Sequence, residues 1–155
     1  MIPIKEGKIL NVSALRNGTV IDHIPSNSLF KVISILKLKE LDSQMTFGTN
    51  LESSKFGSKA IIKIADTYFG KAEIDKIALI APDAKLSVIH DYEISEKTTV
   101  EVPETIVGIA KCFNPNCITN HEHVLTRFTV SNKEELSLRC HYCEKITAKD
   151  QIEIL

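Results

Sequence analysis

Cys112-Phe-Asn-Pro-Asn-Cys117 and, after 22 intervening residues, Cys140-His-Tyr-Cys143 hold every cysteine of the chain in two tight pairs. Each short loop turns two sulfurs towards one point, and the intervening segment returns as a hairpin, a spacing that suits a tetrahedral zinc ion. Disulfides would need an oxidising compartment, and Met1-Ile2-Pro3-Ile4 is not the start of a signal peptide, so a cytoplasmic chain with metal-bound thiolates is expected. A catalytic zinc keeps one of its four positions open for water; four thiolates close the site, and the expected ion is structural. His121, His123 and His141 lie close to the cysteines, but with four sulfurs already well spaced they are expected at the surface.

Working outward, Ile106 to Ala110, Val124 to Val130 and Glu135 to Arg139 read as short strands between the cysteine loops. Such an all-β ribbon is too small for a substantial core, so zinc binding is expected to be coupled to its folding. Upstream, Ser95 to Glu104 turns to Ser, Glu, Lys and Thr with Pro103 and reads as an extended connection. Before it, Thr19 to Ile24 is β-branched and strand-like. Ser26 is a candidate N-cap for a helix running to about Lys39, with Leu29, Val32, Ile33 and Leu36 at helical spacing.

Gln44 to Leu51 and Lys59 to Ala65 read as strands joined by a longish loop from Glu52 to Ser58, with Lys63 on the face opposite Ile62. A second helix fits Lys71 to Ile80, with Ile74, Ile77, Ala78 and Ile80 on its buried side, and Leu86 to Ile94 supplies a further strand. The order is strand, helix, strand, strand, helix, strand. It predicts an α+β chain: a ferredoxin-like βαββαβ domain over residues 1–101, then a small all-β four-cysteine zinc-ribbon domain over 102–155. The first eleven residues form an arm expected to be ordered only if something holds it.

The charge balance narrows the function. Up to Glu104 there are 13 basic and 14 acidic residues, and from Thr105 onward 6 and 6. Neither part is cationic, and four thiolates around one dication add negative charge, which opposes nucleic-acid binding by a zinc ribbon or transcription module. No apolar run reaches transmembrane length, and there is no phosphate-binding glycine loop, dinucleotide fingerprint or nucleophile motif. Asp22-His23 is a candidate acid–base pair, but adjacent strand residues are expected on opposite faces.

Arg16-Asn-Gly-Thr-Val-Ile-Asp-His-Ile-Pro25, then Ala81-Pro82, Tyr92-Glu93, the first cysteine loop, and Cys140-His-Tyr-Cys-Glu-Lys145 occur in an order that closely resembles the regulatory chain of aspartate carbamoyltransferase. The resemblance covers nearly the whole chain. It implies a non-catalytic subunit of pyrimidine biosynthesis that pairs with its twin, binds the nucleotide effectors CTP, UTP and ATP with or without Mg2+, and transmits feedback control to catalytic trimers. The effector residues it implies are Ala14, Leu15, Val20, Asp22, His23, Lys63, Ser87, Ile89, Tyr92, Ile94 and Lys97, with Ser87 standing where the family pattern has asparagine. The metal ligands are Cys112, Cys117, Cys140 and Cys143, and the residues implied at the catalytic-chain interface are Asn114, Asn116, Glu144 and Lys145.

Overall fold

The computed structural model describes residues 3–4, 8–9 and 14–155, and the chain divides into two compact units, Met1–Glu101 and Val102–Leu155. Of the N-terminal arm, β1 (Pro3–Ile4) and β2 (Lys8–Ile9) pair antiparallel; the expectation for the rest of the arm falls outside the described residues.

In the first unit β3 (Gly18–Pro25), α1 (Leu29–Ile35), β4 (Met45–Ser53), β5 (Gly57–Ala65), α2 (Lys71–Ile80), β6 (Lys85–His90) and β7 (Glu93–Thr99) follow in order. The sheet runs β4-β5-β3-β6-β7 with every neighbouring pair antiparallel. Without β7 this is the strand order of the ferredoxin-like βαββαβ fold. Ile21, Ile62 and Ile64 alternate with half-buried residues along their strands, and with Leu86 they share a core with Leu29 and Val32 of α1 and Ile77 and Leu79 of α2. The opposite sheet face carries no helix among the described residues.

Several expectations are corrected here. The first helix ends at Ile35, not near Lys39: Lys37 takes a left-handed conformation (φ 53°), and a 3-10 turn, Leu38–Glu40, follows. Two residues apart on a helix, Leu36 and Leu38 would point about 200° apart; the break lets both reach the core. Ser26 caps nothing and instead accepts a hydrogen bond from the Asn50 N–H at 3.3 Å. The loop between β4 and β5 shrinks to residues 54–56. On α2, Leu79 is buried while Ile74 and Ile80 are only partly so.

The largest correction is β7. Ser95 to Thr99 belongs to a strand hydrogen-bonded to β6, reached through a two-residue turn at Asp91 and Tyr92 with φ of 47° and 67°. Two successive positive φ values are what a tight hairpin turn requires. All seven residues of β7 are exposed, so no apolar alternation advertises the strand, and its Glu and Lys side chains suit an unpaired sheet edge.

The second unit is all-β. β8 (Thr105–Val107), β10 (Arg127–Asn132), β11 (Ser137–Cys140) and β12 (Ile146–Thr147) form a sheet in the order β12-β11-β10-β8, and β9 (Ala110–Lys111) pairs with β13 (Glu153–Ile154). β12 and β13 are additions to the expected strands; at two residues each they are too short to show a period. Phe128, Ile106, Leu136 and Leu138 are its fully buried large side chains.

Candidate functional site

On the open face of the first sheet, residues from four strands fall into cross-strand rows. Val20 of β3 is paired with Lys63 of β5 on one side and Ser87 of β6 on the other, and Ser87 with Lys97 of β7. Two residues along in one direction lie Gly18, Ile89 and Ile94; in the other, Asp22 faces Lys85. These rows floor a cleft of about 340 Å³. All eleven residues expected at an effector site line it: Ala14, Leu15, Val20, Asp22, His23, Lys63, Ser87, Ile89, Tyr92, Ile94 and Lys97.

Asp22 and His23 share this face because β3 is bulged. The register shifts between Ile21 and Ile24, and His23 takes φ 59°. Strict alternation would put Ile21 and Ile24 on opposite faces, yet both are wholly buried. The extra residue of the bulge resolves that conflict and leaves Asp22 and His23 together on the cleft side, correcting the expectation that they part.

The Asp22 carboxylate accepts the His23 backbone N–H at 2.6 Å and meets Lys59 Nζ at 2.9 and 3.2 Å. Burial pushes the Asp22 carboxyl up, but hydrogen bonds from Lys59 and the His23 backbone, with the charges of Lys59 and His23, outweigh it and hold the group below its ordinary value. For His23, burial lowers the imidazole, the Asp22 charge opposes, and Lys59, Lys85 and Lys55 lower it further. Burial also lowers Lys63, against the charge of Asp22.

The cleft's upper end is shaped by the backbone. Tyr92 donates its N–H to the Arg16 carbonyl at 2.9 Å, and Asp66 donates to Asn17 at 2.9 Å, so the segment carrying Ala14 and Leu15 is tied to the sheet. Gly18 sits at φ 143°, where an added Cβ would come 2.0 Å from the Ile64 carbonyl oxygen, so no other residue fits there. Lys59, Ile61 and Lys85 were absent from the expected set. Period two finds the last two, since Ile61 precedes Lys63 and Lys85 precedes Ser87 by two strand residues. The same period reaches Lys59, two residues before Ile61, and the bulge in β3 is what places Asp22 beside it.

In the second unit the four cysteine sulfurs lie within 4.8 Å of one another, with Cys112–Cys143 and Cys117–Cys140 each at 3.7 Å. Metal–sulfur bonds of ~2.3 Å in a tetrahedron place sulfurs about 3.8 Å apart, so the set fits one ion. Burial pushes the Cys112 thiol up to about 12 and raises Cys140. Cys143, which burial alone would raise, is brought down to about 7 by hydrogen bonds from the Lys145 backbone, the Asn114 side chain and the neighbouring Cys112 and Cys140. A divalent cation supplies the positive charge that lets such a cluster ionise together. Thr119 donates its hydroxyl to Cys117 Sγ at 3.2 Å, and Asn120 Nδ2 donates to the carbonyls of Cys112 and Asn114 at 3.0 and 2.8 Å. His121, His123 and His141 are exposed.

Of the residues expected at an interface, Asn116, Glu144 and Lys145 are exposed. Asn114 is 6% exposed and its side chain accepts the Asn116 N–H at 3.1 Å, so it holds the loop rather than presenting a surface. Glu144 sits at φ 63° with its N–H on the Cys140 carbonyl, and its carboxylate lies 3.6 Å from Arg139 Nη2.

Comparison with known proteins bears on both units. Residues 10–101 match the family described as aspartate carbamoyltransferase regulatory chain, allosteric domain, and residues 104–153 match the metal binding domain of the same regulatory chain. Among curated relatives named aspartate carbamoyltransferase regulatory chain, the Porphyromonas gingivalis protein is 54% identical over 144 residues, covering 93% of this chain and 95% of its own. The Phocaeicola vulgatus protein is 52% identical over 146 residues, 94% of each chain, and the Pyrococcus abyssi protein 48% over 145 residues, 92% of this chain and 95% of its own. These relatives are regulatory, not catalytic, chains, and the first matched domain is allosteric. With two family models covering most of its length and relatives near half identity, the chain belongs to the family of aspartate carbamoyltransferase regulatory chains.

Proposed function

We propose that the first unit binds CTP, UTP and ATP in the β3–β5–β6–β7 cleft, and that the second, built around zinc, docks a separate catalytic chain, so that nucleotide levels bias the catalytic chain's activity. The observation that carries this reading is the cleft itself: an apolar end at Leu15, Ile89, Tyr92 and Ile94 runs into a polar end with Lys63, Lys97 and His23. Apolar walls suit a base, and charge-assisted hydrogen bonds suit phosphate and sugar oxygens. Asp22 is the carboxylate within reach of a Mg2+ that accompanies a triphosphate.

Zinc is the ion that four thiolates at tetrahedral spacing favour, and it serves folding, because no ligand position is left for water. The exposed Asn116, Glu144 and Lys145 flank that centre and supply polar contacts for a catalytic-chain trimer, with regulatory chains acting as homodimers between two trimers. An effector shifts the assembly only through unequal affinity for its two states, and catalytic ligands reciprocally shift effector affinity. Aspartate saturation curves of the reconstituted assembly, recorded with each nucleotide, test this. Displacement of the curve by at least one nucleotide is expected; curves that none of the three moves, in an assembly shown to have formed, overturn it.

A further inference from the structure

We propose that Lys85 is a further phosphate ligand of the cleft, placed to meet the terminal phosphate of a nucleoside triphosphate, so that the site ranks nucleotides by phosphate number; this rests on the nucleotide reading above. The rows of the sheet set the order of chemistry along the cleft. At one end lie Ile89 and Ile94, under Tyr92; the middle row has Lys63 and Lys97 on either side of Val20 and Ser87; the far row sets Lys85 opposite Asp22. At ~3.4 Å per residue, the four residues from Ile89 to Lys85 span about 14 Å. That is comparable to an extended nucleoside triphosphate from base to terminal phosphate. A base on the apolar row puts the sugar and nearer phosphates over the middle row and the last phosphate over Lys85.

The charge at this far end is unbalanced. Asp22 is already bridged by Lys59, at 2.9 and 3.2 Å to its two oxygens, and among the described residues Lys85 makes no ion pair. Lys85 also faces His23, whose proton its charge disfavours. An ammonium that has no ion pair among the described residues, beside a carboxylate already neutralised by Lys59, is stabilised by an anion, and a terminal phosphate brings the charge and the acceptors. A monophosphate, anchored at the same apolar row, does not reach so far.

Calorimetric titration of CTP, CDP and CMP into the full-length chain, wild type and Lys85→Met and Lys85→Arg, tests the assignment. CTP affinity is expected to fall about tenfold in Lys85→Met, with CMP affinity within twofold of wild type and Lys85→Arg retaining the triphosphate preference. Unchanged CTP affinity in Lys85→Met, or an equal loss for CTP and CMP, overturns the role of Lys85 while leaving the nucleotide reading standing. A wild-type chain that takes up none of the three overturns both.

Discussion

Among the described residues of the first unit eight large side chains, Ile21, Ile24, Leu29, Leu38, Ile62, Ile64, Ile77 and Leu79, are wholly buried, whereas the second unit has four, Ile106, Phe128, Leu136 and Leu138. At roughly 1.5–3 kcal/mol for each fully buried large apolar side chain, the second core starts with about half the driving force of the first. A structural zinc contributes roughly 10–16 kcal/mol in small metal-folded units, at least comparable to four such side chains together, at about 6–12 kcal/mol. On the reading proposed above the difference separates two designs: a domain held by packing, with one sheet face open to an effector, and a domain whose small core leaves its fold to an ion.

Removing the ion breaks the comparison most severely. Stripping metal with a mercurial, or replacing Cys140 by Ala, should unfold the second unit and leave the first intact, seen as loss of amide protection confined to residues 102–155 in hydrogen exchange. Protection lost equally in both units would mean that the first does not stand on its own packing. The converse experiment is smaller in energy. Ile62→Ala, at a wholly buried position, should cost the first unit ~2–5 kcal/mol, read as a lower unfolding midpoint, with metal content unchanged by mass spectrometry. Smaller again, Lys63→Ala should weaken all triphosphates together by roughly 1.5–3 kcal/mol in calorimetry while both units keep their folds.

The smallest effect is a pH dependence confined to the first unit. His23 and Asp22 are both held below their ordinary values, so each contributes stability that is present at neutral pH and declines on acidification. For His23 the decline begins as pH falls through the ordinary imidazole value near 6.5, and for Asp22 as it falls through the ordinary carboxyl value near 3.8. Denaturant unfolding between pH 8 and 5 should show the first slope, and His23→Gln should flatten it. A slope that persists in that variant assigns the dependence to another group.

These contrasts explain what was legible in the chain. The metal centre was readable because the only four cysteines fall at ligand spacing, and α2 because Lys71 to Ile80 carries an apolar stripe between breakers. β7 was not, since a wholly exposed edge strand has no alternation to read. The meeting of Asp22 with His23 was also hidden, because alternation separates neighbours and only the bulge reunites them. Asn114 illustrates a different limit: the resemblance implies it at an interface, and the turn occupies its side chain, as the Asn116 hydrogen bond shows. The residues expected at an effector site came by resemblance to a family rather than from a pattern, and the sheet register supplies the physical reason that Val20, Lys63, Ser87 and Lys97 come together.

The central claim is that the ion governs docking while packing governs effector binding. It is tested most directly by sedimentation velocity of the metal-free chain with purified catalytic trimers, alongside nucleotide titration of the same sample. The account expects no co-sedimentation and CTP affinity within a few-fold of the metal-loaded chain. Full assembly without metal would contradict the docking role, and loss of nucleotide binding would contradict the independence of the first unit.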